Sequence, residues 1–208
     1  VEVGKDVTIE ELREQGYKGF YAAIGCQKGR KPGIPGEDAE GAYTAVDFLQ
    51  KAGSGAGFAM NGDVVVVGGG NVAIDAARVS SRCTDGSVSM YCLEQREQMP
   101  ASTEEIEEAL EENISINCGW GPKEILTQDG KVTGIVFKKC LSVFDDKGRF
   151  SPKYDEEDTA TVSCSQVVFS VGQAVDWGKM LEGMHVEMRP NGTAVANKLT
   201  YQTSEPDV

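Results

Sequence analysis

The chain has 208 residues, 40% of them hydrophobic, and a formal net charge of −13. That length buries a real core, and so acidic a balance argues against nucleic acid or an anionic membrane surface, both of which need basic patches. No stretch approaches the apolar length of a membrane span and Val1 onward lacks a signal-peptide pattern, so the expectation is a cytoplasmic protein.

In chain order, a short helix is expected over Ile9 to Gln15, with Thr8 as N-cap and Glu11 completing a capping box. A strand, Gly19 to Ile24, ends at Gly25. Residues 28–41, rich in Gly and Pro, read as an ordered loop, Ala45 to Lys51 as a helix, and Gly53-Ser54-Gly55-Ala56-Gly57 as a flexible tip. Next comes the most informative run, Val64-Val65-Val66-Val67 followed by Gly68-Gly69-Gly70-Asn71-Val72-Ala73. It reads as a buried strand, a glycine turn and the start of an Ala-rich helix.

Gly68, Gly70 and Ala73 fit the G-x-G-x-x-G/A spacing of a dinucleotide site. The first glycine permits the tight turn, the second lets backbone approach the phosphates, and Ala73 lets helix and strand pack closely. Helix-start amides around Asn71 and Val72 are then free to donate to an anion. A second parallel strand, Ser87 to Cys92, follows, and Glu94 lies where a ribose-binding carboxylate is expected, about 20 residues past the glycines.

After Met99-Pro100-Ala101, Ser102 opens a capping box with Glu105 and a helix from Thr103 to Glu112. Ile106, Ala109 and Leu110 form its apolar face and the glutamates its solvated side. Ile114 to Cys118 reads as a third strand. From Lys123 to Ser165 the pattern becomes hairpins, with turns at Gln128-Asp129-Gly130 and Asp145 to Gly148. Gln166 to Val171 is a further buried strand, and Thr193 to Ala196 a short one. The order predicts an α/β fold: a Rossmann-like parallel sheet with helices on both faces, and an antiparallel meander as one crossover.

Cys26, Cys83, Cys92, Cys118, Cys140 and Cys164 form no C-x-x-C and no close cluster in sequence. The expectation is no metal or iron–sulfur site in this chain, and six structural thiols. His185, the only histidine, reads as a surface or edge-strand residue, and Asp75 and Arg78, three apart on one helix, as a mutual pair, with Asp75 alternatively aiding the turn or a domain contact. Tyr43, Phe48 and Trp177 read as core or domain contacts. No catalytic side chain is expected.

Four separated segments together carry a family likeness: Gly25 with Lys28 to Asp38, Gly68 to Arg78, Met99-Pro100-Ala101, and Val171-Gly172-Gln173. They resemble the glutamate synthase small subunit and related flavin- and iron–sulfur-containing pyridine nucleotide oxidoreductases. The resemblance implies an NAD(P)H domain inserted in an FAD domain, with hydride passing from NAD(P)H to FAD and on through iron–sulfur clusters. It assigns Gly68 to Ala73 to the nicotinamide dinucleotide and Val171, Gly172 and Gln173 to its nicotinamide end. The FAD fingerprint and cluster cysteines of that family are not found in the chain. The expectation is therefore an excised piece, inactive alone. Residues 1–45 would be FAD-domain remnant and linker, 46–190 the NAD(P)H domain and 191–208 a return segment. Implied partners are the FAD and iron–sulfur domains of the parent and a large electron-accepting subunit.

Family members preferring NADPH carry Tyr-Arg-Arg where this chain has Cys92-Leu93-Glu94. A carboxylate there repels a 2′-phosphate and accepts from a free ribose hydroxyl, so NADH is expected over NADPH. Arg96 keeps NADPH open. The rival reading from another class is a stand-alone, non-catalytic dinucleotide-binding or sensing module.

Overall fold

The computed structural model describes residues 1–54 and 57–208, so Gly55 and Ala56 of the expected tip lie outside the described residues. In chain order its elements are α1 (Ile9–Glu14), β1 (Lys28–Gly29), β2 (Ala42–Thr44), α2 (Ala45–Gly53), β3 (Val64–Val67), α3 (Asn71–Cys83) and β4 (Val88–Cys92). A 3-10 turn (Arg96–Gln98), α4 (Thr103–Glu111), β5 (Ser115–Cys118), β6 (Trp120–Gln128), β7 (Lys131–Phe144), β8 (Phe150–Ser163), β9 (Gln166–Phe169) and β10 (Gln173–Ala174) follow.

The chain divides into two compact units, Gly29–Gly172 and the pair of segments Val1–Lys28 and Gln173–Val208. Pairing of β2 with β9 ties residues 42–44 to the central sheet.

The larger unit is built on a five-stranded parallel sheet of order β2-β9-β3-β4-β5. Chain passes from β5 through the antiparallel sheet β6-β7-β8 before returning as β9 between β2 and β3, so the meander is the crossover. Alternation along the strands sorts the core into two layers. Val64, Val66, Met90 and Val168 pack with Phe48 of α2, Ile74 of α3 and Ile106 of α4. Val65, Val67, Val167 and Phe169 pack with Ile125, Ile135 and Phe137 of the meander. The α/β class and meander stand as expected, but α2, α3 and α4 share one face and the meander covers the other. Helices on both faces are thus replaced by a helix layer and a strand layer. Tyr91 stacks on Phe137 across that second interface, ring centroids 4.2 Å apart at 13°.

The β6–β7 turn is a two-residue hairpin loop with positive φ at both Asp129 (51°) and Gly130 (78°), the primed geometry that matches strand twist. On α4, Ile106 and Ala109 are buried but Leu110 is 46% exposed, so the apolar stripe is narrower than expected. Its glutamates are not merely solvated: Arg78 of α3 reaches Glu105, Glu108 and Glu112, and Arg82 joins Glu112. Arg78 thus pairs across to α4 rather than with Asp75, which is exposed. Glu105 turns its carboxylate toward Arg78. Ser102 still caps α4, its hydroxyl accepting from the Glu105 N–H.

In the smaller unit, Thr8 and Glu11 form the expected capping box and Arg13 makes a two-nitrogen contact with Asp207 at 2.8 and 2.7 Å. Gly19 to Ile24 forms no strand: backbone ladders need a partner, and only the Phe20 N–H is matched, to the Asp207 carbonyl. Thr193 to Ala196 is likewise reduced to a single bridge between Met188 and Ala194. His185 is exposed, and Trp177 donates its indole N–H to the Gly192 carbonyl.

Candidate dinucleotide site

The glycine turn sits at the carboxyl end of β3, where ligands of open parallel sheets bind. Its three glycines answer three different demands. Gly68 has φ of +149°, and a methyl built on it stands 2.5 Å from the Ser170 carbonyl oxygen, so backbone from the end of β9 leaves no room for a side chain. Gly69 is buried under its neighbours. A methyl there stands 2.9 Å from Glu94 Oε2 and 3.1 Å from Cys92 Cβ. Gly70, with φ of −93° and ψ of 175°, is in conformations open to any residue, and a methyl on it meets nothing within 4 Å. The space in front of Gly70 is open.

Gly70 is also the N-cap of α3, without a side chain to satisfy the first turn. The Ala73 and Ile74 N–H groups close on the Gly70 carbonyl at 2.9 and 3.2 Å. The Asn71 and Val72 amides therefore precede the first intrahelical bonds and face the open side with the positive end of the helix dipole. Ala73 is fully buried against the core, as close helix–strand packing requires.

Met99-Pro100-Ala101 fixes this turn from the other side. The Ala101 N–H donates to the Gly69 carbonyl at 3.1 Å, and the Ser102 N–H donates to Asn71 Oδ1 at 2.9 Å. Sequence spacing marked the segment as a family feature but gave no mechanical reason for it. The two hydrogen bonds supply one.

Glu94 follows β4 directly and is half-buried, its carboxylate beside Gly69. Arg96 is half-buried too, with Nη1 3.9 Å from Met99 Sδ. Of the second group, Val171 is 37% exposed and Gly172 has φ of +108° at the end of the larger unit. Gln173 opens β10 in the other unit and is exposed. Arg30, from the Lys28 to Asp38 segment of the family likeness, joins Gly172: its N–H donates to the Gly172 carbonyl at 3.0 Å. Its Cδ is 3.7 Å from a methyl built on Gly172. The resemblance marked that segment without giving Arg30 a role of its own.

The residues present fit a dinucleotide pyrophosphate: an open approach at Gly70, unpaired amides behind it, and a carboxylate at the end of the second strand for a ribose hydroxyl. Among the described residues no three His, Cys, Asp or Glu side chains are arranged to hold a metal, and no helix is long and apolar enough to cross a membrane. All six cysteines are free thiols.

The chain is 30% identical over 198 residues to the NADPH-Fe(3+) oxidoreductase subunit beta of Geobacter sulfurreducens strain PCA, covering 93% of this chain and 29% of that one. It is 29% identical over 225 residues to the glutamate synthase [NADPH] small chain of Escherichia coli K12, covering 100% of this chain and 47% of that one. The chain thus spans less than half the length of these curated relatives. Among solved structures, FprA of Mycobacterium tuberculosis in complex with NADPH superposes with a TM-score of 0.70 at 22% identity, over 84% of this chain and 54% of FprA. The likeness to FprA concerns the fold. The profile of one family matches residues 1–208, the whole of the sequence. The chain belongs to the pyridine nucleotide-disulphide oxidoreductase family.

Proposed function

We propose that Gly29–Gly172 is the nicotinamide-dinucleotide-binding part of a flavin-dependent oxidoreductase similar to the glutamate synthase small subunit. The observation that carries this reading is the open space at Gly70 in front of the Asn71 and Val72 amides. The pyrophosphate lies there on the Gly68-Gly69-Gly70 turn, and Ala73 keeps the helix close. The nicotinamide end extends toward Val171, Gly172 and Gln173.

FAD and iron–sulfur clusters belong, in this proposal, to other parts of the parent protein, with the segments Val1–Lys28 and Gln173–Val208 returning to its FAD domain. The nicotinamide, when bound, supplies a hydride to the flavin, and the same parent feeds a larger electron-accepting subunit. The residues of this chain bind and orient. A direct hydride transfer asks for no protein nucleophile or base.

The preferred nucleotide is NADH. Glu94 stands where the adenosine ribose reaches the end of β4, and a second negative charge beside a half-buried carboxylate is repelled. The relatives named for NADPH pull the other way, and Arg96 is the cation that would serve a 2′-phosphate here. Calorimetric titration of the chain with each nucleotide tests this. NADH is expected to bind at least about tenfold more tightly, which is about 1.4 kcal/mol. Glu94→Gln is expected to narrow that gap by improving NADPH. Tighter NADPH binding to the unaltered chain overturns the preference.

A further inference from the structure

Beneath the glycine turn lies a cluster of sulfur atoms that dinucleotide binding does not use. Cys92 ends β4 and Cys118 ends β5, and the two are direct partners in the parallel register. Their Sγ atoms are 3.8 Å apart, and Met99 Sδ is 3.9 Å from Cys118 Sγ. Cys92 is 2% and Met99 9% exposed, while Cys118 is half-buried. The three residues are 26 and 19 positions apart or less, in no metal-binding spacing, and only the strand register and the Met-Pro-Ala turn bring them together.

We propose that Cys92, Cys118 and Met99 form a binding site for one soft monovalent cation of the cuprous class. Two thiols and a thioether are the donor set such a cation selects over harder metals. The spacing agrees: three donors in a plane about 2.3 Å from a central ion stand about 4 Å from one another. The two separations measured from Cys118 Sγ, 3.8 Å to Cys92 Sγ and 3.9 Å to Met99 Sδ, match two sides of that triangle.

Binding exchanges protons for metal. One Cu(I) enters, two S–H bonds break, two Cu–S(thiolate) bonds and one Cu–S(thioether) bond form, and two protons leave to solvent. No electron is transferred. The site changes by a net single negative charge, and the Arg96 guanidinium, already 3.9 Å from Met99 Sδ, stands beside it. Burial and the neighbouring Cys118 push the Cys92 thiol well above its ordinary range. Metal capture is accordingly stronger at higher pH, where proton release costs less.

The test is an anaerobic titration of the full chain with Cu(I) against a chromophoric Cu(I) chelator, followed by X-ray absorption at the copper edge. One equivalent is expected to bind, with three sulfur neighbours at about 2.3 Å. Cys118→Ser is expected to weaken binding by at least about 100-fold and Met99→Leu by about tenfold, since even groups outside the first ligand sphere cost 10–100-fold. Cys26→Ser, at an exposed cysteine, is expected to change nothing. Met99→Leu conserves volume and keeps the test independent of any folding defect at the buried Cys92. Unchanged affinity in Cys118→Ser, or a copper spectrum with two sulfur neighbours that Met99→Leu leaves alone, overturns the proposal. The readout involves no nucleotide, so it stands or falls separately from the function above.

Discussion

Replacing Gly70 with Ala separates binding from folding at the glycine turn. The added methyl meets no atom within 4 Å and the backbone is at φ −93°, so the folded chain tolerates it. The stability cost is that of Ala in place of Gly at an N-cap, about 0.5–1 kcal/mol. In a chain of this size that lowers Tm by about 2–4 °C at most. The same methyl stands in the path by which phosphate oxygens reach the Asn71 and Val72 amides. Two hydrogen bonds to a charged acceptor contribute about 1.5–3 kcal/mol each, so their loss weakens binding by about 3–6 kcal/mol. At about 1.4 kcal/mol per tenfold, that is roughly two to four orders of magnitude in Kd. Gly68→Ala is the contrasting control. Its methyl falls 2.5 Å from the Ser170 carbonyl oxygen, and overpacking against backbone costs the fold about 1–3 kcal/mol before strain at positive φ is added. A thermal scan and a calorimetric titration with NADH on each variant decide the matter. Gly70→Ala binding NADH within twofold of the unaltered chain refutes the reasoning, as does a Gly70→Ala chain that fails to fold.

Phe137→Ala removes the fully buried ring stacked on Tyr91 and is expected to cost about 3–5 kcal/mol in urea unfolding; less than about 1.5 kcal/mol shows that the meander does not depend on this interface. Arg78→Ala is expected to lower Tm by a few degrees by releasing the α4 carboxylates. Burial pushes the Glu112 carboxyl up, but Arg78 and Arg82 outweigh it and hold the group below its ordinary value. A carboxylate lowered in the folded state contributes stability that is full above its unfolded pKa and drains as pH falls through the folded value. Denaturation curves between about pH 5 and 3 are therefore expected to fall more steeply for the unaltered chain than for Arg78→Ala, and parallel curves contradict the assignment.

The turn and its strand were legible because Val64 to Val67 is buried on both faces and the glycines follow at once, which few other structures require. The meander was legible from its Asp129-Gly130 turn. Which face it covers was not, because apolar residues on both faces of β3 demand two covers without saying which is helical. Gly19 to Ile24 has strand composition, but composition carries no word of a hydrogen-bonding partner. Arg78 was misassigned for a related reason: Asp75 is close along the helix, whereas Glu108 and Glu112 are 30 and 34 residues away and become neighbours only when α3 packs on α4. The approach of Glu94 to Gly69 and the sulfur cluster below it depend on parallel register, which no local pattern encodes.

The central claim is that the amides behind Gly70 receive the dinucleotide. Amide chemical shifts of the isotopically labelled chain, followed as NADH is added, test it most directly. The account predicts the largest changes at Gly69 to Ala73, with Glu94 moving in the same titration. Changes confined to other parts of the chain, or none at saturating NADH, would contradict it.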